Sequence, residues 1–211
     1  AYVMNERAGI KAFADLNGKP YSPGGQGTNA EVMTTEAFNV LGIKPQYYRG
    51  TMSEMGQAFK DRRIVGYVKA TALKRPDPII VETMTAQPIQ IMSWPPELVQ
   101  QVQAKLPWLK TSQIPAGVYQ GDWNKQPITG WAVINAVFAP TKFPEDLAYE
   151  FTKVALADKT EQAAAFPALK GADIGKMTGD LALMPLHKGA VKALREAGYQ
   201  VPQQLIPPEA K

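Results

Sequence analysis

The sequence predicts a mixed α/β protein, and three observations support this prediction. The chain has 211 residues, which is enough for one large domain or for two lobes. Hydrophobic residues make up 45% of the chain and charged residues 20%, a balance typical of globular proteins and unlike that of disordered chains. In the first half, short β-rich segments alternate with amphipathic helical segments, which indicates a sheet covered by helices on both faces.

The composition excludes several classes of site and partner. The chain has no cysteine, which excludes disulfides, thiol catalysis and metal sites that need cysteine ligands. His187 is the only histidine, so a two-histidine metal site cannot form within one chain. The formal charge is +4 and the basic residues are spread along the chain, which argues against a nucleic-acid partner. The longest apolar run is shorter than the about 18 residues that a membrane-spanning helix needs.

The first elements in chain order are two short strands, a loop rich in glycine and a helix. Tyr2–Met4 is β-rich, and Ile10–Leu16 has the apolar spacing of one or two helical turns. A second short strand leads into the segment Gly25–Asn29, which we call the glycine loop. From Asn29 to Leu41 the apolar residues recur at intervals of three and four, and Gly42 ends this helix. Strand, loop and helix in this order form half of a βαβ unit.

The next segments continue the alternation of helices and strands. Thr51 and Glu54 form a capping box at the start of a helix that ends near Asp61. Four more elements are predicted after it: a strand within Ile64–Ala70, a helix over Pro76–Thr85, a strand over Pro88–Met92 and a helix over Pro95–Leu106.

The second half of the chain is predicted to be helical apart from one strand. Ile114–Trp123 has the composition of a loop, whereas Ile128–Phe138 is the most apolar stretch and predicts a long buried strand. We place a lobe boundary near Trp123–Gln126. The segments that follow are a helix from Pro144 with Leu147, Phe151 and Val154 on one side, a shorter helix over Glu161–Phe166, irregular structure over Gly171–Pro185, and a helix over Lys188–Ala197 closed by Gly198.

The glycine loop is the first candidate binding site. Gly25, Gln26, Gly27, Thr28 and Asn29 lie where a strand passes into a helix, so free backbone amides and the helix dipole point to one place. Such a place attracts carboxylates and phosphates. The alternative is a purely structural helix cap, in which Thr28 bonds the helix end and the residue three positions later, Glu31, reaches back. Glu31 would then compete with an anionic ligand for the same amides, and the sequence leaves both interpretations open.

Lys69 and Thr71 are the second candidate. They follow a β-rich segment, and the carboxyl ends of strands in α/β sheets open onto the ligand crevice. A cation and a hydroxyl at this position would complete a carboxylate site. The alternative is an exposed lysine at the edge of the sheet.

Other motifs carry less weight. The segment Gly25–Ala30 fits a dinucleotide fingerprint in its glycines but lacks the acidic residue expected about 20 positions later. Gly171–Thr178 departs from a phosphate-binding P-loop in its spacing and in Met177. His187 precedes a helix and is expected to be a cap or a packing residue, and the four tryptophans are expected to lie mostly in the core. No catalytic constellation is evident, so we expect neither enzymatic activity nor a cofactor.

Five ordered segments of the chain form a pattern that covers nearly its whole length. The segments are Gly9-Ile10 with Asp15-Leu16-Asn17-Gly18-Lys19 and Gly25-Gln26-Gly27-Thr28; Ala58-Phe59-Lys60-Asp61 with Ile64; Ile114-Pro115-Ala116-Gly117-Val118-Tyr119; Pro144-Glu145-Asp146-Leu147-Ala148-Tyr149-Glu150; and Pro185-Leu186-His187-Lys188-Gly189-Ala190 with Glu196-Ala197-Gly198. Only their combination is specific, and in combination they resemble the TAXI family of solute receptors for TRAP transporters.

The resemblance implies a periplasmic binding protein fold of type II. In such proteins two α/β lobes close on a small organic anion, often an amino acid or a dicarboxylate, and deliver it to the permease subunits in the membrane. It implies a periplasmic location, ligand contact at the glycine loop and a structural role for His187. The corresponding division of this chain is a hinge strand over 1–5, a complete ligand-binding lobe over 6–123, and over 124–211 a returning hinge strand with the helical end of the other lobe.

Three departures from the family pattern leave alternatives open. Gln26 stands where the family has serine, and Arg63-Ile64-Val65 lacks the family's acidic residue. Family members also have a long segment ahead of this starting point, so the first lobe would be incomplete; because the chain starts at Ala1 without methionine, we expect either a removed targeting peptide or a chain cut from a longer one. The alternatives to a receptor are a transferase on the same two-lobed fold, or an inactive fragment that self-associates through apolar surface in its second half.

Overall fold

A computed structural model describes residues 1–158, 160–165 and 169–210. The chain forms two compact units, Ala1–Val133 and Ile134–Lys211. The predicted division into a hinge strand, a complete lobe and a partial lobe concerns a two-lobed receptor and stays a prediction. The mixed α/β character of the fold is confirmed, because strands and helices alternate through the first unit.

The sheet of the first unit contains five short strands: β1 (Tyr2–Asn5), β2 (Pro20–Tyr21), β3 (Gln46–Tyr47), β4 (Gly66–Val68) and β5 (Ile89–Met92). Strand β1 runs antiparallel between β4 and β5, with Tyr2 opposite both Val68 and Met92. Strands β2 and β3 are parallel. Ser22 continues β2 and forms a parallel bridge with Tyr67 of β4, so the strand order across the unit is β3-β2-β4-β1-β5.

Four helices cover the two faces of this sheet: α1 (Asn29–Leu41), α2 (Met52–Lys60), α3 (Pro78–Ala86) and α4 (Pro96–Lys105). Successive side chains of a strand point to opposite faces. Tyr2 and Met4 are therefore buried together with α1 and α4, whereas Val3 is buried together with α2 and α3. The result is one apolar core on each side of the sheet.

The predicted helices of the first unit are confirmed, and their ends have local causes. Gly42 ends α1 in the left-handed conformation at φ 69°. Thr51 and Glu54 form the predicted capping box of α2. Helix α3 begins at Pro78, two residues later than predicted, because the carboxylate of Asp77 accepts hydrogen bonds from the amides of Ile79 and Ile80 at 3.0 and 3.3 Å.

The long strand predicted over Ile128–Phe138 is wrong. Strand β7 covers only Ile128–Trp131 and pairs in antiparallel fashion with β6 (Thr111–Ile114), which the sequence did not predict because only one of its four residues is apolar. Thr111 lies opposite Trp131, so the partner strand ends where β7 ends. Beyond it, Val137 and Phe138 are 79% and 72% exposed.

The described part of the second unit is helical: α5 (Glu145–Ala157), α6 (Glu161–Ala165), α7 (Ile174–Leu181) and α8 (Lys188–Glu196). The last residue of the predicted short helix, Phe166, lies outside the described residues. The irregular structure predicted over Gly171–Pro185 is wrong, because the carboxylate of Asp173 caps α7 by accepting from the Lys176 amide at 2.9 Å. Short 3-10 helices cover Glu6–Ala8, Phe13–Leu16, Asp122–Asn124, Gln203–Leu205 and Pro208–Ala210.

Helix α5 packs on α8 through the side that carries Ala148, not through its apolar stripe. A Cβ atom on Gly189 would lie 2.3 Å from the carbonyl oxygen of Glu145, so the two helix backbones approach closely. The predicted apolar side of α5 exists, but Leu147, Phe151 and Val154 are 53%, 58% and 64% exposed. None of the helices in the described ranges is long and apolar enough to cross a membrane.

Candidate ligand-binding site

Three parallel strands end at the same edge of the first unit's sheet. Strands β2, β3 and β4 run in one direction, and the segments that follow them, 22–28, 48–51 and 69–77, lead into α1, α2 and α3. We call this end of the sheet the carboxyl edge. All of the predicted site residues lie in these segments or at the start of α1. Ligands of α/β sheets bind at such edges, because loops and helix N-termini meet there.

The glycine loop packs directly against the start of α2. The amide of Gln26 donates a 2.9 Å hydrogen bond to the carbonyl oxygen of Gly50. A Cβ atom on Gly25 would lie 2.9 Å from the sulfur atom of Met52, so a larger residue at this position would force the methionine side chain to move. Gly27 has φ 75°, a conformation that glycine adopts without strain. The loop therefore brings the N-termini of α1 and α2 side by side, with residues 26–29 exposed.

The predicted cap of α1 is confirmed, with one difference. The Thr28 hydroxyl accepts from the Glu31 amide at 3.3 Å and donates to the carbonyl oxygen of Gly25 at 2.7 Å. The carboxylate of Glu31 reaches past the cap residue and accepts from the Gly27 amide at 2.7 Å. Its other oxygen lies 3.4 Å from Nε of Arg49. The loop thus carries an internal carboxylate on one of its amides, as the structural interpretation expected.

Four amides at the two helix N-termini are left for a ligand. Within the described residues, the N–H groups of Asn29 and Ala30 in α1 and of Met52 and Ser53 in α2 have no protein acceptor. The carboxylate of Glu54 accepts from the Thr51 amide, and this bond lowers the pKa of Glu54. Free amides and two helix dipoles at one place can hold an anion even though each helix also carries its own carboxylate.

Lys69 lies at the carboxyl edge as predicted, but it is not an exposed edge lysine. Its ammonium group lies 2.7 Å from the Asp77 carboxylate, and the two side chains are only 16% and 11% exposed. The amide of Asp77 in turn donates to the Tyr119 hydroxyl at 3.0 Å. Sequence reasoning missed Asp77 and Tyr119. The available signal for Asp77 was the Asp-Pro pair at the start of α3, which is typical of a helix cap.

Thr71 is half-buried and belongs to the same polar group. Burial is the larger effect on the pKa of the nearby Tyr119 hydroxyl and raises that pKa overall, whereas the Thr71 side chain lowers it slightly. Within β4 itself, Tyr67 donates to the Thr83 hydroxyl at 3.0 Å, and burial raises the pKa of Tyr67 to about 12. The Tyr119 hydroxyl also accepts from the Asp77 amide, so the residue that pairs with Lys69 is held in position.

The remaining candidate residues have structural surroundings. His187 caps α8 in the second unit: Nδ1 accepts from the Gly189 amide at 3.2 Å, and Nε2 lies 2.9 Å from the carbonyl oxygen of Phe143, to which it donates. Trp94 and Trp131 are buried in the core, whereas Trp108 is 42% exposed. Among the described residues, no group of three histidine or acidic side chains is arranged to hold a metal ion.

One comparison with known proteins identifies a relationship. The model of a protein family described as the NMT1-like family matches residues 1–198. The match therefore includes the glycine loop, the carboxyl edge and most of the second unit. None of the curated proteins matches the chain.

Proposed function

The chain belongs to the NMT1-like family, a family of solute-binding proteins of the periplasmic-binding type, and from this premise we propose that it captures a small organic anion for a membrane transporter. The observation that carries the proposal is the carboxyl edge, where two helix N-termini meet and four amides have no acceptor in the part of the chain that the structure describes. A receptor needs only such a binding surface, and it releases the solute unchanged.

The ligand carboxylate accepts hydrogen bonds from the free amides beside the glycine loop. Gly25, Gln26, Gly27, Thr28 and Asn29 shape this position, with Gln26 and Asn29 offering exposed side-chain amides. Lys69 and Thr71 line the neighbouring end of β4. Charge-assisted hydrogen bonds of this kind are worth about 1.5–3 kcal/mol each, so two or three of them give a receptor useful affinity.

The finer assignments rest on the resemblance of the five sequence segments. We propose a type II binding protein of the TAXI family that serves a TRAP transporter in the periplasm. Binding shifts the population towards a closed form in which a second lobe covers the ligand. The ligand is an amino acid or a dicarboxylate, and no cofactor or covalent step takes part.

A proline substitution at the first residue of α1 tests the site. Asn29→Pro removes one amide N–H, and proline is well tolerated at this helical position; α3 and α4 already begin with Pro78 and Pro96. Thr28 already has the extended conformation that a following proline requires, with φ −90° and ψ 156°. Asn29→Ala is the matched control, because it shortens the same side chain and keeps the N–H.

Binding is measured by calorimetry with a panel of amino acids and dicarboxylates. We expect Asn29→Pro to weaken the affinity of the bound ligand about tenfold or more, and Asn29→Ala to change it less than about threefold. Thr28→Ala, which loosens the loop, is expected to fall between them. Equal affinity of the wild type and Asn29→Pro would remove this amide from the site, and the absence of binding by every member of the panel would contradict the proposed function.

A further inference from the structure

Two cations of the carboxyl edge, one enclosed and one exposed, are already paired with acidic residues of the protein. Lys69 lies 2.7 Å from Asp77, and Arg49 lies 3.4 Å from Glu31. Lys69 and Asp77 are nearly enclosed, at 16% and 11% exposure, whereas Arg49 is 60% exposed. A ligand therefore meets two ion pairs at this edge rather than two free positive charges.

The side chain of Asp77 is fixed by hydrogen bonds, so it cannot rotate away from the ammonium group of Lys69. Its carboxylate accepts from the amides of Ile79 and Ile80, and its own amide donates to Tyr119. If a ligand carboxylate took the Lys69 ammonium group, Asp77 would be left as an enclosed anion without its counter-ion. Such a stranded charge is strongly unfavourable, and it would also face the incoming carboxylate.

Each of the three helices that begin at the carboxyl edge carries its own carboxylate in its first turn or at its cap. These are Glu31 on α1, Glu54 on α2 and Asp77 on α3. They outnumber the two paired cations. The further cations of segment 69–77, Lys74 and Arg75, are exposed, so solvent and salt screen them. The free amides can hold one carboxylate, but Lys69, the enclosed lysine of the described edge, is already paired, so a second negative charge meets only exposed and screened cations there.

We propose that this site selects ligands with one carboxylate and an adjacent ammonium group, that is α-amino acids with uncharged side chains, and discriminates against dicarboxylates. The proposal rests on the proposed function and narrows its ligand class. The ligand carboxylate takes the amides of Asn29 and Ala30, and its ammonium group lies beside Glu31. Arg49 moves towards solvent as the ammonium group replaces it, which its exposure permits.

The test compares ligands that differ only in charge. Calorimetry is carried out with matched sets of three to five carbons, each containing an amino acid, the 2-hydroxy acid and the dicarboxylate of the same length, such as alanine, lactate and malonate. We expect the best amino acid to bind at least tenfold more tightly than its matched hydroxy acid and dicarboxylate. A dicarboxylate that binds as tightly as, or more tightly than, its matched amino acid overturns the charge inference and leaves the proposed function standing. If no compound binds, both fail.

Two variants probe the pairs themselves. Glu31→Gln keeps a residue suited to the cap and removes the charge, so the preference for the amino acid over the hydroxy acid should fall at least fivefold. Asp77→Asn keeps the cap of α3 and frees Lys69, so the affinity of the dicarboxylate relative to the amino acid should rise about tenfold. Asp61→Asn, at the far end of α2, is the control and should change neither ratio. Unchanged ratios in both Glu31→Gln and Asp77→Asn, with folding verified by circular dichroism, would overturn the proposal.

Discussion

The ion pair between Lys69 and Asp77 should contribute far more to stability than the other pairs of the first unit. The perturbation is a double-mutant cycle with Lys69→Met, Asp77→Asn and the combined variant. Asparagine retains the cap of α3, and methionine retains most of the volume of the lysine side chain, so the cycle isolates the charges.

The magnitude follows from the burial of the two side chains. Breaking a fully buried pair by removing one partner costs about 3–5 kcal/mol, whereas exposed pairs contribute about 0–1 kcal/mol. With exposures of 16% and 11%, Lys69 and Asp77 are close to the buried case. We expect each single substitution to cost about 2 kcal/mol and the combined variant to cost no more than one of them, which is a coupling energy of about 2 kcal/mol.

The free energy of unfolding is measured by urea titration with tryptophan fluorescence, because all four tryptophans lie in the first unit. The matched control is the pair Lys125–Asp122, which has a similar separation of 2.9 Å but exposures of 73% and 92%. Its coupling energy should stay below about 0.5 kcal/mol. A coupling energy for Lys69 and Asp77 as small as that of the control would refute the argument that their enclosure sets their energy.

Three further predictions concern pH, close packing and exposure. Burial raises the pKa of Tyr67 from 10.0 to about 12, so the contribution of its neutral hydroxyl to the free energy of unfolding is complete below about pH 10 and is lost as the pH rises towards 12. Tyr67→Phe should therefore flatten the decline of the free energy of unfolding in that range. Gly189→Ala should destabilise the second unit by about 1–3 kcal/mol in thermal melts followed by circular dichroism, since its Cβ would lie 2.3 Å from a backbone oxygen of α5, and an unchanged melting temperature would contradict the close approach. Phe59→Ala should lower the free energy of unfolding in urea titrations by about 3–5 kcal/mol, because its ring is fully buried. Phe151→Ala should lower it by less than about 0.5 kcal/mol, because its ring is 58% exposed. Similar losses for the two variants would mean that the apolar side of α5 is covered in solution.

The glycine loop shows how far local sequence predicts a site. Its place between a strand and a helix, and the cap formed by Thr28, follow from residues next to one another in the chain. The contact of Gly25 with Met52 and the bond from Gln26 to Gly50 join segments about two dozen positions apart. No periodicity in the sequence encodes such contacts, so the pairing of two helix N-termini could not be predicted.

Two predictions of secondary structure were wrong because neighbouring residues did not indicate where the element begins or ends. The apolar stretch from Ile128 continues to Phe138, but a strand extends only as far as its partner, and β6 begins at Thr111, opposite Trp131. The sequence predicts irregular structure over Gly171–Pro185, whereas the structure forms α7 there; a Cβ atom on Gly175 would lie only 2.4 Å from the ring of Tyr199, so this glycine serves close packing.

Caps, turns and amphipathic spacing are properties of neighbouring residues, and for that reason the order of the four helices in the first unit, the mixed α/β class and the loop at the start of α1 were determined by the sequence alone, whereas the short strands β3 and β6 were not predicted. The tertiary structure alone decided which charges remain available. The sequence gives no partner for the positive charge of Lys69. Only the folding of segment 69–77 back to the end of β4 places Asp77 against Lys69 and largely removes both side chains from solvent. The physical reason is that the energy of a charge depends on its distance from other charges and on its exposure, and both are set by how distant parts of the chain pack together.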